Sequence, residues 1–186
     1  MLNRHGFTLI ELLITIAIAA IVATFAIPSF TQSIRNGRLT TNANEFLTAL
    51  NLARSEAIKR GVQVTMLRNS TTSTQWESGW QVFVDSDGNE TFNDNGTAPT
   101  CETTQGFPSE DCLLRTYPAL PSGFTLRTGN SSYKDYIAFN PSGLSISSAG
   151  DTFRLCSDQA DNSKSRSIII NSIGRARIST GTSTCP

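Results

Sequence analysis

The sequence has 186 residues, 15 basic and 15 acidic side chains with a formal net charge of zero, and 38% hydrophobic residues. That length fits one soluble domain plus an appended segment and excludes two full domains. The composition excludes both a disordered chain and a wholly membrane-embedded one.

Residues 7–27 form an apolar stretch of 21 residues interrupted by one charge, Glu11. As a helix rising about 1.5 Å per residue it spans roughly 30 Å, the hydrocarbon thickness of one bilayer. An ordinary secretory signal is cut after its apolar core at a small residue. Here the only plausible processing site, Gly6-Phe7, precedes the core. Cutting there removes residues 1–6 and leaves the membrane helix on the mature chain. Arg4, with His5, holds the leader on the cytoplasmic side by the positive-inside rule. An acid inside an apolar span costs on the order of 3 kcal/mol, so Glu11 needs a partner. As the fifth mature residue, it is expected to meet the free amino group at Phe7 of a neighbouring subunit; an acid near the interface that snorkels is the alternative.

The residues Gly6-Phe7-Thr8-Leu9-Ile10-Glu11-Leu12-Leu13 resemble the type IV prepilin cleavage motif. That resemblance implies a prepilin peptidase cutting between Gly6 and Phe7, N-methylation of Phe7, and a role for Glu11 in subunit docking during assembly. It also places a helix kink at Pro28, which lacks one backbone donor and bends a helix.

Beyond Pro28 the apolar residues Phe30, Ile34, Leu39, Phe46, Leu47, Leu50, Ala53, Ala57 and Ile58 recur at helical spacing, with Asn36-Gly37 as an interruption. Lys59-Arg60 followed by Gly61 is a helix-end signature, so the helix is expected to stop near Arg60. Strand-like runs follow at 62–67, 80–84, 113–117, 124–127, 136–139, 153–156, 167–170 and 176–179, separated by Gly, Pro, Asn and Ser clusters. Eight short strands exceed what one sheet usually needs, so the expected class is α+β, a helix packed on two antiparallel sheets.

Leu52-Ala53-Arg54-Ser55-Glu56-Ala57, Gly79-Trp80-Gln81-Val82-Phe83-Val84-Asp85 and Phe139-Asn140-Pro141-Ser142-Gly143 resemble the GspH/FimT family. That family comprises minor pseudopilins of type II secretion and minor pilins of type IV pili. The resemblance implies a pilin-like fold divided into a leader (1–6), a membrane and filament-core helix (7–27), the remaining helix (28–60) and a β-rich head (61–186). It further implies partners among other pilin subunits, an inner-membrane stage with the head in the periplasm, and a final place in an extracellular pilus.

Four cysteines, Cys101, Cys112, Cys156 and Cys185, lack the Cys-x-x-Cys spacing of a structural zinc site. Disulfides, and with them an oxidising compartment, are the simpler reading; free thiols in a cytosolic protein are the alternative. Three pairings are possible. Order along the chain favours Cys101 with Cys112 and Cys156 with Cys185, each closing a loop worth about 3 kcal/mol.

The charges are unevenly spread. Residues 77–111 carry eight acids and no Lys or Arg, whereas residues 154–186 carry Arg154, Lys164, Arg166, Arg175 and Arg177 against Asp158 and Asp161. The sole histidine, His5, lies in the leader, so no Ser-His-Asp or Cys-His arrangement can be assembled, and no Walker-type glycine loop is present. No enzymatic activity and no cofactor are expected. The acidic run from Asp85 to Asp94 alternates oxygen ligands as hard-cation loops do. Gly88 falls at its fourth position and a terminal Glu is missing, so the expectation is a solvated acidic turn without metal. An adhesive use of loop 85–111, gripping a surface or a cation, is an alternative.

Gly174-Arg175-Ala176-Arg177 follows the apolar run Ile168-Ile169-Ile170. If extended, it projects both guanidinium groups from one face, roughly 6–7 Å apart, close to the spacing of successive phosphates along a DNA strand. Arginine's planar fork suits phosphate. Gly174 permits a tight turn or a close approach to the ligand, and Lys164 and Arg166 broaden the basic patch. These residues resemble the Gly-Arg-x-Arg signature of FimT members that bind DNA during natural transformation. The resemblance implies binding of double-stranded DNA through Gly174, Arg175, Arg177, Lys164 and Arg166. A GspH-like structural subunit without DNA affinity remains the alternative.

Overall fold

The computed structural model describes residues 7–93, 111–129, 132–147, 149–181 and 184–185. A single helix, α1 (Leu9–Arg60), precedes eight strands: β1 (Val64–Arg68), β2 (Trp80–Val84), β3 (Cys112–Tyr117), β4 (Thr125–Arg127), β5 (Tyr136–Phe139), β6 (Asp151–Cys156), β7 (Arg166–Ile170) and β8 (Ala176–Thr180). A short 3₁₀ turn, Asn162–Lys164, links β6 to β7. Contacts divide the chain into Met1–Arg38 and Leu39–Pro186.

In the first unit no described residue is buried. Phe7, Leu9, Ile10, Leu12, Ile21, Phe25 and Phe30 all stand exposed, and the helix is long and apolar enough to cross a membrane. Three of its hydroxyls are satisfied internally: Thr15, Thr24 and Thr31 Oγ1 donate to the carbonyls of Leu12, Ile21 and Ile27 at 2.8, 2.6 and 2.9 Å. That suits a surface without water, where an unpaired hydroxyl is costly. The helical backbone runs on through Pro28.

The second unit holds every buried side chain among the described residues. Leu39, Ala43, Phe46, Ala49, Leu50, Ala53 and Ala57 mark one face of α1, and its four alanines let the sheets approach closely. Phe46 lies between the sheets, with ring centroids 5.0 Å from Trp80 of β2 and 4.8 Å from Phe153 of β6. Gly61 (φ +68°) closes the helix by donating to Ala57 O at 2.9 Å. Since this unit contains its whole core, residues 35–186 form a self-sufficient head for solution experiments.

The strands form two antiparallel sheets, ordered β3-β2-β1-β5 and β4-β6-β7-β8. All eight predicted strands are present, with ends displaced by at most two residues. β1 starts at Val64 because Gly61 first has to turn the chain out of the helix, and β6 starts early because Asp151 pairs with Ile170. Gly79 (φ +92°) must be glycine, since a Cβ there would lie 2.5 Å from Tyr117 O.

Candidate assembly terminus and nucleic-acid interface

Glu11 is satisfied within its own chain. Its Oε2 accepts from Thr8 N at 2.8 Å and Thr8 Oγ1 at 2.9 Å, while Glu11 N donates to Thr8 Oγ1 at 3.3 Å. This is a capping box, the Thr-x-x-Glu pattern that ties off a helix N-terminus. The signal, Thr-x-x-Glu, stands in the sequence at the head of the apolar run. In a single subunit these bonds offset part of the cost of the acid. Phe7 is exposed beside them, and Gly6 lies outside the described residues.

The Gly-Arg-x-Arg segment closes the β7–β8 hairpin. Asn171 N donates to Arg175 O at 3.0 Å, Gly174 N to Asn171 O at 2.9 Å, and Arg175 N to Asn171 Oδ1 at 2.8 Å. Gly174 (φ +79°) is buried, and a Cβ would meet Phe139 Cε1 at 2.7 Å and Ser145 N at 3.1 Å. Of the two expected roles for this glycine, the geometry therefore supports the tight turn. Arg175 and Arg177 are exposed and two residues apart on extended chain, hence on one face. Neither guanidinium has a partner among the described residues.

Register defines which residues share that face. Arg177 stands opposite Ile169, which stands opposite Thr152; Ser179 stands opposite Ser167, which stands opposite Arg154, and Arg154 stands opposite Arg127. The other face carries Phe153, Leu155, Ile168 and Ile170 into the core. Arg166 is paired with Leu155 and Thr180 and so belongs to the core-facing side. There its Nη2 donates to Thr40 Oγ1 at 3.2 Å and its Nη1 to Lys164 O at 2.5 Å. Lys164 lies in the 3₁₀ turn, its Nζ 3.2 Å from Asp161 Oδ2. The structure thus unites Arg175 with Arg177 and does not bring Lys164 and Arg166 onto their face. Arg154, exposed and unassigned by the sequence reading, does occupy it.

Cys156 is bonded to Cys185 with Cα atoms 5.8 Å apart, as chain order favoured. Cys112 is also disulfide-bonded; its expected partner, Cys101, lies outside the described residues.

The acidic loop departs from expectation in burial. Asp85 and Asp111 are 1% and 5% exposed, not solvated. Asp85 accepts from Gln63 Nε2 and Thr65 Oγ1, both at 2.8 Å, and from the amides of Asn89 and Glu90 at 3.1 and 3.0 Å. Asp111 accepts from Ser86 N and Asn93 N at 2.8 and 2.9 Å. Burial raises the Asp111 pKa, its two amide donors oppose this, and the charges of Asp85 and Asp87 add to the rise. Carboxylate oxygens of Asp85, Asp87 and Asp111 lie within 4.8 Å of one another. With Asp85 and Asp111 occupied by donors, the arrangement is a hydrogen-bonded turn that ends β2 and starts β3. Asp94, Glu102 and Glu110 lie outside the described residues.

An exposed apolar helix headed by a capped glutamate, and a helix-on-two-sheets head, define a pilin-like filament subunit. The family model for type II transport protein GspH matches residues 42–174, and the prokaryotic N-terminal methylation motif matches residues 1–27. The chain belongs to the GspH family of minor pilins and pseudopilins. Its fold is similar to that of the type IV minor pilin FimU of Pseudomonas aeruginosa in space group P21, with a TM-score of 0.58 and 16% identity over 81% of this chain and 94% of that one. FimU in space group P65 gives 0.54 and 15% over 78% and 95%. The minor pseudopilin EpsH from the Type 2 Secretion System of Vibrio cholerae gives 0.50 and 14% over 78% and 99%. No curated protein sequence matches the chain.

Proposed function

We propose that this subunit is a FimT-like minor pilin that binds extracellular double-stranded DNA for uptake in natural transformation. The observation that carries the reading is the pair of exposed guanidinium groups of Arg175 and Arg177, without a partner among the described residues and held on one face of an anchored hairpin. Binding is electrostatic and largely independent of sequence, with a Kd of about 10⁻⁴–10⁻⁶ M at physiological salt. Several subunits along one filament add avidity to this weak grip.

Titrating residues 35–186 with labelled duplex tests the reading. Removing two phosphate contacts weakens binding by about 60-fold at 0.1 M salt, from a slope of about −0.9 per contact. Arg175→Ala with Arg177→Ala is expected to show that loss; equal binding by both proteins removes the assignment. The family model's description, type II transport protein GspH, favours a second reading as a structural pseudopilin or assembly-priming subunit. It predicts a secretion or piliation defect, with no loss of transformation in the two-arginine strain.

Assembly follows from the N-terminus. A prepilin peptidase cuts between Gly6 and Phe7, Phe7 is N-methylated, and the helix anchors the head on the periplasmic side of the inner membrane. On joining the filament, Glu11 exchanges its bonds to Thr8 for the amino terminus of a neighbour. Glu11→Ala is expected to remain in the membrane fraction and to be lost from sheared filaments. Normal incorporation of that variant counts against a docking role.

A further inference from the structure

We infer that Arg154 of β6 is a third phosphate-binding residue, forming with Arg177 and Arg175 an oblique basic track across the outer face of the β4-β6-β7-β8 sheet. The inference rests on the DNA-binding reading above and extends it to a residue 21 positions upstream of Arg175 in the sequence.

The register supplies the geometry. Arg154 stands opposite Ser167 and Arg177 opposite Ile169, so they lie two strands apart laterally and two residues apart along the strands. With strands about 4.8 Å apart and about 3.3 Å per residue, their Cα atoms are separated by about 12 Å, twice the Arg175–Arg177 spacing of about 6–7 Å. Arg175 and Arg177 therefore follow one another along β8 and its turn, and Arg154 lies off that line, obliquely across β7 towards β4. Arg154 is exposed, and its guanidinium has no partner among the described residues. Arg127, directly opposite Arg154 on β4, does not join them. Its Nη2 is held 3.1 Å from Glu77 Oε1, which neutralises its charge.

The surroundings suit a polyanion. Among the described residues no carboxylate occupies a strand position on this face, and the half-buried Thr152 and Ser179 beside the arginines offer hydroxyl donors of the kind that contact phosphates. Two arginines in line with one strand leave a duplex free to pivot about them. A contact about 12 Å away and off that line fixes its direction across the sheet. Because every member stands on a strand or at its end, the backbone fixes the spacing of the track before binding, and the ordering left to be done is that of the side chains.

The test compares residues 35–186 with Arg154→Ala, Arg154→Lys and the Arg175→Ala, Arg177→Ala pair. Affinity for a labelled duplex is measured from about 0.05 to 0.3 M salt, a range over which counterion release is readable, with thermal melting to confirm that the exposed replacements fold alike. Loss of one phosphate contact lowers affinity about eightfold at 0.1 M salt and makes the slope of log K against log salt shallower by about 0.9. Arg154→Ala is expected to show both changes, and Arg154→Lys to keep the wild-type slope. Unchanged affinity and slope in Arg154→Ala overturn the track while leaving the Arg175 and Arg177 assignment intact. A lysine variant as weak as the alanine one overturns an electrostatic contact at this position. If wild-type protein binds no duplex, both the track and the underlying reading fall.

Discussion

Phe46→Ala is expected to lower the melting temperature of residues 35–186 by roughly 6–20 °C. Phe46 is fully buried and places its ring 5.6 Å from Trp76, 5.0 Å from Trp80 and 4.8 Å from Phe153, with edge-on or tilted geometry throughout. It thus joins α1 to a strand of each sheet. Truncating a buried phenylalanine costs about 3–5 kcal/mol through lost transfer energy and the cavity left behind. In a domain of this size each kcal/mol shifts the transition by about 2–4 °C. The neighbours cannot easily collapse inward, because Trp80 also stacks on Tyr117, with centroids 5.5 Å apart, and Trp76 N is tied to Leu126 O at 2.8 Å. Phe46→Leu keeps more of the volume and should recover most of the loss. Equal melting of Phe46→Ala and wild type would mean that the helix and sheets are joined elsewhere.

Much of this architecture is local chemistry and so was legible beforehand. The end of α1 follows from Lys59-Arg60-Gly61, and the β2 strand from the run Trp80–Val84 between Gly79 and Asp85. Burial of Asp85 was not legible, because its donors Gln63 and Thr65 come from the neighbouring strand region 22 and 20 residues earlier. The arginine face was half legible. A two-residue period places Arg175 beside Arg177, and the same period within β7 sets Arg166 with the buried Ile168 and Ile170. Arg154 needed the pairing of β6 with β7 and of β7 with β8, a non-local register that no single strand encodes. The capping box of Thr8 and Glu11 is local, a Thr-x-x-Glu pattern at the head of the apolar run, and so readable from the sequence alone.

Replacing both Cys156 and Cys185 by alanine is expected to lower the melting temperature of the head by roughly 7–14 °C while leaving DNA affinity at about 25 °C unchanged. The bond spans a sequence separation of 29 residues that includes the 3₁₀ turn, β7 and β8. Opening a loop of that length releases chain entropy worth about 3.5 kcal/mol in the unfolded state, and the melting shift follows from about 2–4 °C per kcal/mol. The native arginine face has its own supports. β7 is paired on both sides, by β6 and β8, and the turn at Gly174 is buried against Phe139 and Ser145. At room temperature the hairpin therefore keeps Arg175 and Arg177 in place without the bond. Double replacement isolates this bridge, whereas a reducing agent would also open the bond at Cys112. A loss of duplex affinity in a variant that melts well above room temperature would show instead that the bridge positions the basic face directly. Cys185 N donates to Asn162 Oδ1 at 2.7 Å, so Asn162→Ala, which frees the chain end but keeps the covalent bond, separates the two effects.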